Sequence, residues 1–390
     1  MRHTIIAAIA LTVAAIAVAP GAVPDRDLDV LRGSAASSGF AVAAQPREFV
    51  FPRDHGPHPD FRHEWWYLVG NLTSPAGERF GFELTIFRVA LTPATVVEPP
   101  ARQTPVEVAT PPARQTPASA WRTRQIYMAH FAVTDVSRRR FRFAQKFERD
   151  ALGLAGAAAE PFRVWLDDWQ IGGQPHWAVH AQQKDYELTL AVESLTAPIL
   201  NGDRGLSVKS SEPGAASYYY SIPRVSVRGQ ITRAGTAVPV SGTAWLDREW
   251  GSGSLGSREA GWDWFALQLD DGSALMFYAL RNQDGSREPH SGGTWVDPTG
   301  RALALTSGEV EIDVGEHWTS SRGARYPSRW RMRVPSLNLD VDVTPVLSDQ
   351  ELGTKPRYWE GAVDVSGSRG GSEAHGRGYV ELVGYGVAAR

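Results

Sequence analysis

Apolar and polar residues alternate along most of this chain, with a period of two wherever the pattern is legible. Phe80, Phe82, Leu84 and Ile86 alternate with Gly81, Glu83 and Thr85. Phe141, Phe143, Gln145 and Phe147 alternate with Arg142, Ala144 and Lys146, and the same rhythm runs through Tyr186, Leu188, Leu190 and Val192 and through Leu337, Leu339, Val341 and Val343. That period is the mark of half-buried strands. Asp270-Asp271-Gly272-Ser273, between two alternating runs, is a hairpin signal. Past the N-terminus no long segment carries a helical apolar stripe, and Ala151 to Ala159 offers at most a short helix. The pattern predicts an all-β protein of barrels or sandwiches.

Segments of the pattern also recur. The run opening at Trp66 and closing on Glu83-Leu84-Thr85-Ile86-Phe87-Arg88 is echoed by the run from Trp264 to Met276-Phe277-Tyr278-Ala279-Leu280-Arg281. Gly242-Thr243-Ala244-Trp245-Leu246-Asp247 is echoed by Gly376-Arg377-Gly378-Tyr379-Val380-Glu381. Two copies without a fixed short period imply a tandem duplication of one β unit, not a solenoid, with a seam near residue 243.

The two ends of the pattern differ from its middle. Met1-Arg2-His3 followed by apolar Thr4 to Ala19 is a secretory-signal pattern, short for a membrane span. Cleavage would fall near Ala19 to Ala22, or as late as Ala43-Ala44. Residues 23–46 read as a flexible tether, and the mature chain is expected to be secreted or periplasmic. Residues 92–120 are a loop insertion in which Pro-Pro-Ala-Arg-Gln-Thr-Pro occurs twice, at 99–105 and 111–117, since proline cannot donate to a ladder.

Composition narrows the partners. A net charge of −3 gives no electrostatic case for nucleic acid or an anionic membrane surface, and the absence of cysteine removes disulfides and thiolate chemistry. No cofactor is expected. Gly251-Ser252-Gly253-Ser254-Leu255-Gly256 has the letters of a dinucleotide fingerprint but precedes a strand-like run rather than a helix. There is no nucleophile elbow, and His63-Glu64 lacks the second His of a zinc-protease helix. Asp54, His55, His58 and His63 cluster within ten positions, either as metal ligands or, the preferred reading, as loop-pinning hydrogen-bond partners.

Chemistry concentrates in Trp245-Leu246-Asp247-Arg248-Glu249-Trp250. On a strand, Trp245, Asp247 and Glu249 share one face, with alternate Cα atoms about 6.6 Å apart. If that face lines an apolar cavity, desolvation and mutual repulsion make a proton donor. If the other face does, Arg248 fixes a polar end of a ligand and Trp250 packs on its body. In the structural alternative Arg248 bonds Glu64 or Asp263 and closes a barrel mouth. Glu64-Trp65-Trp66-Tyr67 and Trp262-Asp263-Trp264 pair an acid with indoles, as a wall for an apolar ligand or as core sealing the barrel ends. His130 alternates opposite Tyr127, Ala129 and Phe131, facing either a satisfied interior or the second barrel.

These residues carry a resemblance. Phe51-Pro52-Arg53-Asp54-His55-Gly56, Glu64-Trp65-Trp66-Tyr67, Gly153-Leu154-Ala155-Gly156, Ser217-Tyr218-Tyr219-Tyr220-Ser221-Ile222-Pro223-Arg224, the Trp245-to-Trp250 run and Tyr358-Trp359-Glu360-Gly361 are similar to the AttH and carotenoid 1,2-hydratase-like (hydroxyneurosporene synthase-like) family. The resemblance spreads over about residues 49 to 385 and implies two lipocalin-like antiparallel β-barrels, at 47–242 and 243–390 after a signal peptide at 1–22. It implies hydration of an acyclic carotenoid double bond, with an acid and a His taking part; this chain has Arg248 where the hydratases carry that His.

The reading that follows is a lipocalin-like protein holding an apolar, isoprenoid- or lipid-like molecule at the barrel junction. Its ligand contacts would be Trp65, Trp66, Tyr67, His130, Tyr219, Arg248, Trp250, Trp262, Trp264 and Tyr278. The alternative is a hydro-lyase in which Asp247 or Glu249 protonates an alkene, and a third reading is a hydrolase with Asp247 or Glu64 as base; Asp263 is the remaining candidate acid.

Overall fold

The computed structural model describes residues 39–93, 123–173, 176–253 and 255–386. The expected signal peptide, most of the tether, the Pro-rich repeat and Ser254 lie outside the described residues. Among those described, the chain is almost wholly β, with three short 3-10 turns and no α-helix.

The strands fall into two sheets in chain order. The first holds β1 (His63–Thr73), β2 (Arg79–Ala90), β3 (Gln125–Asp135), β4 (Arg140–Arg149), β5 (Ala155–Ala159), β6 (Phe162–Leu166) and β7 (Trp169–Gly172). It continues through β8 (Ala178–Gln183), β9 (Tyr186–Leu195), β10 (Ile199–Leu200), β11 (Leu206–Val208), β12 (Ala216–Arg233) and β13 (Thr236–Gly253). The second holds β14 (Glu259–Leu269), β15 (Ala274–Asn282), β16 (Gly292–Val296), β17 (Ala302–Thr306) and β18 (Glu311–Thr319). Its remaining members are β19 (Arg325–Val334), β20 (Leu339–Pro345), β21 (Glu351–Leu352), β22 (Tyr358–Arg369) and β23 (Ser372–Val383). All pairings are antiparallel; the first sheet curls into a nearly closed barrel and the second into a half barrel, the two lipocalin-like units the sequence led us to expect.

Two local expectations resolve differently. Ala155–Ala159 is a strand, β5, paired with β6, because Leu152 and Gly153 turn the chain at positive φ just before it. The seam near residue 243 falls inside β13, whose neighbours β1 and β12 both belong to the first sheet, so the sheets divide after Gly253.

The duplication is visible in the pairing. β13, β1 and β2 lie side by side in the first sheet as β23, β14 and β15 do in the second. Gly242 pairs with Leu72 and Gly376 with Leu269; counting along from those pairs, Tyr67–Asp247 in one sheet corresponds to Trp264–Glu381 in the other. The sequence echo aligned Trp66 with Trp264, one residue out of step. A one-residue slip exchanges the faces of a strand, so Trp66 is buried inside the first barrel while Trp264 looks outward to the second.

Each barrel has its own apolar interior, and a third cluster, including Tyr67, Tyr219, Trp245, Trp264, Tyr278 and Tyr379, lies where the outer faces of the two sheets meet. The meeting is close. A Cβ placed on Gly81 would stand 2.7 Å from Ala362 Cβ and 2.8 Å from the Tyr379 hydroxyl. Gly81→Val therefore wedges the sheets apart, and we expect a loss of about 1–3 kcal/mol in chemical denaturation. An unchanged midpoint would mean that the joint is loosely packed.

Candidate functional site

The cleft opens at one end of this joint. Its walls are Trp65, Tyr67, Phe87, Tyr219, Asp247 and Glu249 from the first sheet, and Trp262, Trp264, Tyr278, Leu280 and Glu381 from the second, with Lys209 and Leu255 from connecting segments. About 750 Å³ lies between them, open solvent at the mouth included, a size that suits a small-molecule site. The strand period explains the set. Trp65 and Tyr67 share a face of β1, Asp247 and Glu249 a face of β13, Trp262 and Trp264 a face of β14.

Asp247 lies at the floor. The Tyr219 hydroxyl donates to its Oδ2 at 2.5 Å and the Trp245 indole N–H to its Oδ1 at 2.6 Å. Trp264 Nε1 in turn donates to the Tyr219 hydroxyl at 3.1 Å, and its ring stands edge-on to Tyr67 with centroids 5.0 Å apart. Burial pushes the Asp247 carboxyl up and the neighbouring charge of Glu249 adds to it, while bonds from Ser221, Tyr219 and Trp245 hold it back, leaving it at about 7. Glu381 reaches the cleft from the equivalent strand of the other sheet. Burial and the charges of Asp247 and Glu249 raise it, against a bond from Trp262 Nε1 at 3.1 Å, again to about 7.

Glu249 is spoken for. It accepts from the Ser217 hydroxyl and pairs with Lys209 Nζ at 3.2 Å. Lys209 is buried, which works against its charge, but the surrounding acids, Glu249 foremost, keep it a cation. Its Nζ lies 4.2 Å from the Tyr278 ring centroid and 5.1 Å from that of Tyr219.

Of the residues singled out in the sequence, Trp65, Tyr67, Tyr219, Asp247, Glu249, Trp262, Trp264 and Tyr278 meet in this cleft. The others go elsewhere. Arg248 and Trp250 point into the first barrel, as the strand period requires once Asp247 faces out. Arg248 Nη2 bonds Glu64 at 2.9 Å and the Gly56 carbonyl at 2.7 Å, Nη1 bonds the Trp65 carbonyl at 2.5 Å, and its guanidinium lies 4.1 Å from the Trp66 ring centroid. Glu64 also accepts from Arg88 Nε at 3.0 Å and from His58 Nδ1 at 2.7 Å, and His58 stacks on Trp250 at 3.7 Å. That network closes an end of the first barrel. Asp263, bonded by Arg281 at 2.9 Å and by the Tyr385 hydroxyl, makes the corresponding closure in the second. His130 sits deeper in the joint against Tyr358.

The histidines near the N-terminus have separate partners: His55 Nδ1 meets the Tyr220 hydroxyl at 2.7 Å and His58 bridges Asp54 and Glu64. Among the described residues no three His, Asp or Glu converge as a metal would need.

Glu381, Lys209, Phe87, Leu255 and Leu280 were not singled out. Glu381 had a signal, since the repeat aligns it with Asp247; the others reach the cleft only through register and loop path.

Known proteins were compared with the chain. The sequence pattern of the AttH-like family matches residues 42–385. A crystal structure described as AttH from Nitrosomonas europaea superposes with a TM-score of 0.75 at 34% identity, covering 89% of this chain and 100% of that one. Dehydratase asqC of Emericella nidulans is 21% identical over 221 residues, 53% of this chain and 60% of its own. Kievitone hydratase of Fusarium solani subsp. phaseoli is 22% identical over 174 residues, 43% of this chain and 49% of its own. The matches thus span between half and three-fifths of those two curated relatives.

Proposed function

This chain belongs to the AttH-like family, and from that premise we propose that it is a hydro-lyase-type enzyme, adding water to or removing it from a carbon–carbon double bond of an apolar small molecule held in the cleft. One observation carries the reading: two carboxyls in equivalent positions of the duplicated sheets, Asp247 and Glu381, face one aromatic cleft and both titrate at about 7. The relatives named dehydratase and hydratase support the reaction class.

At neutral pH mutual repulsion favours one proton on the pair. In the forward sense the Asp247 carboxylic acid gives its proton to the less substituted alkene carbon. The Tyr219 hydroxyl and Trp245 N–H are already placed to hold the carboxylate left behind. The indole faces of Trp65, Trp262 and Trp264 stabilise the developing carbocation. Water attacks the cation and loses a proton to the Glu381 carboxylate, which completes an alcohol. Removal of water runs the same steps backwards.

Trp, Tyr and Leu walls suit a conjugated or isoprenoid body. Export across the cytoplasmic membrane, which the basic and apolar start at Met1–Ala19 supports, is part of the same proposal.

The test is incubation of the full chain with prenylated phenols and acyclic polyenes in ¹⁸O-labelled water. We expect label in a hydrated product. A ligand that binds, quenches the indole fluorescence and never takes up label would leave a binding protein instead.

A further inference from the structure

The joint between the sheets holds acids that this reaction does not touch. Glu83 of β2 and Glu360 of β22 are both buried. Glu83 Oε1 accepts from the Tyr358 hydroxyl at 2.9 Å and from Thr85 at 3.1 Å. Glu360 Oε1 accepts from the hydroxyl of Tyr67, whose ring is a wall of the cleft. In each acid Oε2 has no hydrogen-bond partner, and no lysine or arginine among the described residues pairs with either. Carboxylates do not stay ionised in such places without a cation, so protons reside there.

From Glu83 the bonds lead outward. His130 Nδ1 is 2.6 Å from the Tyr358 hydroxyl, and Gln145 Nε2 lies 2.7 Å from His130 Nε2 and donates to the carbonyl of exposed Lys355 at 2.9 Å. From Glu360 the row leads inward, because Glu381 stands directly opposite it on β23, where side chains of neighbouring strands touch.

We propose that Glu83 and Glu360 are the centre of a proton relay, a back door through which the cleft exchanges protons with solvent at the Gln145–Lys355 corner while an apolar ligand fills its mouth. The purpose of the relay rests on the hydro-lyase reading; its chemistry does not. Inward, His130 Nδ1–H passes to the Tyr358 oxygen as Tyr358 O–H passes to Glu83. His130 Nε2 takes a replacement proton from water when the Gln145 amide swings aside. Glu83 hands its proton to Glu360, and Glu360 to Glu381. Each hop breaks one O–H or N–H bond and makes another, so charge and atoms balance without a co-reactant.

The electrostatics agree with that order. Burial, with the charge of Glu381, lifts Glu83 to about 8 against the bonds from Tyr358 and Thr85, and burial with the charges of Glu83 and Glu381 lifts Glu360 well above the ordinary range. Burial lowers His130 to about 3, so the ring is neutral, one nitrogen a donor and the other an acceptor. The remaining titratable groups facing the pair are Tyr67 of β1 and Tyr379 of β23, both driven by burial to stay protonated.

Infrared spectra of the full chain test this. At neutral pH the protein should show a protonated-carboxyl band that weakens in Glu83→Gln. After transfer into D₂O that band should shift promptly in the parent and at least tenfold more slowly in His130→Phe, a change that a merely structural histidine would not produce. Gln145→Leu, at the half-exposed rim, is a second block should His130→Phe fail to fold. Absence of the band, or equal exchange rates in parent and blocked variants, overturns the relay. Slowed exchange in a protein that hydrates nothing leaves the relay standing and removes the hydro-lyase reading.

Discussion

Replacing Asp247 by Asn should lower turnover by about 10²–10⁴-fold, the usual worth of a positioned acid, with ligand affinity nearly unchanged. Asn keeps the shape and can still accept from Tyr219 and Trp245, the two groups that fix this side chain. What it lacks is a proton to give. The pH profile separates this from a packing effect. Asp247 must be protonated and Glu381 ionised, and both titrate at about 7. The parent should show a narrow bell: rate falls on the alkaline side as the pair loses its shared proton and on the acid side as both carboxyls fill. The two limbs belong to the pair rather than to either residue. Glu381→Gln should remove the acid limb and Asp247→Asn the alkaline one. An Asn variant with full turnover would take Asp247 out of the chemistry, and one with lost affinity would make it a binding group.

How far the site was legible follows from what a strand pattern contains. Alternation put Trp245, Asp247 and Glu249 on one face and Arg248 and Trp250 on the other, and the structure keeps that division. It left open which face met the cleft, because inside and outside depend on the curl of a sheet that no local window records. The echo of Gly242–Asp247 in Gly376–Glu381 was readable, yet its consequence, a second acid facing the first, needed the register of β23 on β14. The same register moved the partner of Trp264 from Trp66 to Tyr67. Lys209 follows the three-residue strand β11 and enters the cleft by its loop path; nothing in its neighbours' periodicity marks it. Glu83 and Glu360 lie on strands whose alternation placed them opposite the core residues, the ordinary position of a solvated acid. Only the meeting of two outer faces makes them buried.

Glu64→Ala should destabilise the protein by about 3–5 kcal/mol, the cost of removing one partner from a buried ionic network, while leaving the cleft residues where they are. Glu64 is fully buried and answers two guanidiniums at once, Arg88 at 3.0 Å and Arg248 at 2.9 Å. Without it both cations remain inside the barrel end with carbonyls alone: His58 and Phe61 for Arg88, and His55, Gly56 and Trp65 for Arg248. Burial opposes its charge, but Arg88, Arg248 and His58 more than reverse this and hold its pKa far below the ordinary 4.5. A depressed folded value stabilises the protein above the unfolded pKa and loses that contribution as pH falls through the folded one. The parent should therefore weaken progressively below about pH 4.5, and the Ala variant, already without that contribution, should show a flatter acid limb. Urea midpoints across that range measure both. This network also explains why a cation replaces the hydratase-type histidine at Arg248: on this side of β13 the side chain closes a barrel, and proton transfer belongs to the opposite face. Full stability in Glu64→Ala with loss of ligand binding would reverse that assignment, making Arg248 a ligand contact and the closed barrel end a second cleft.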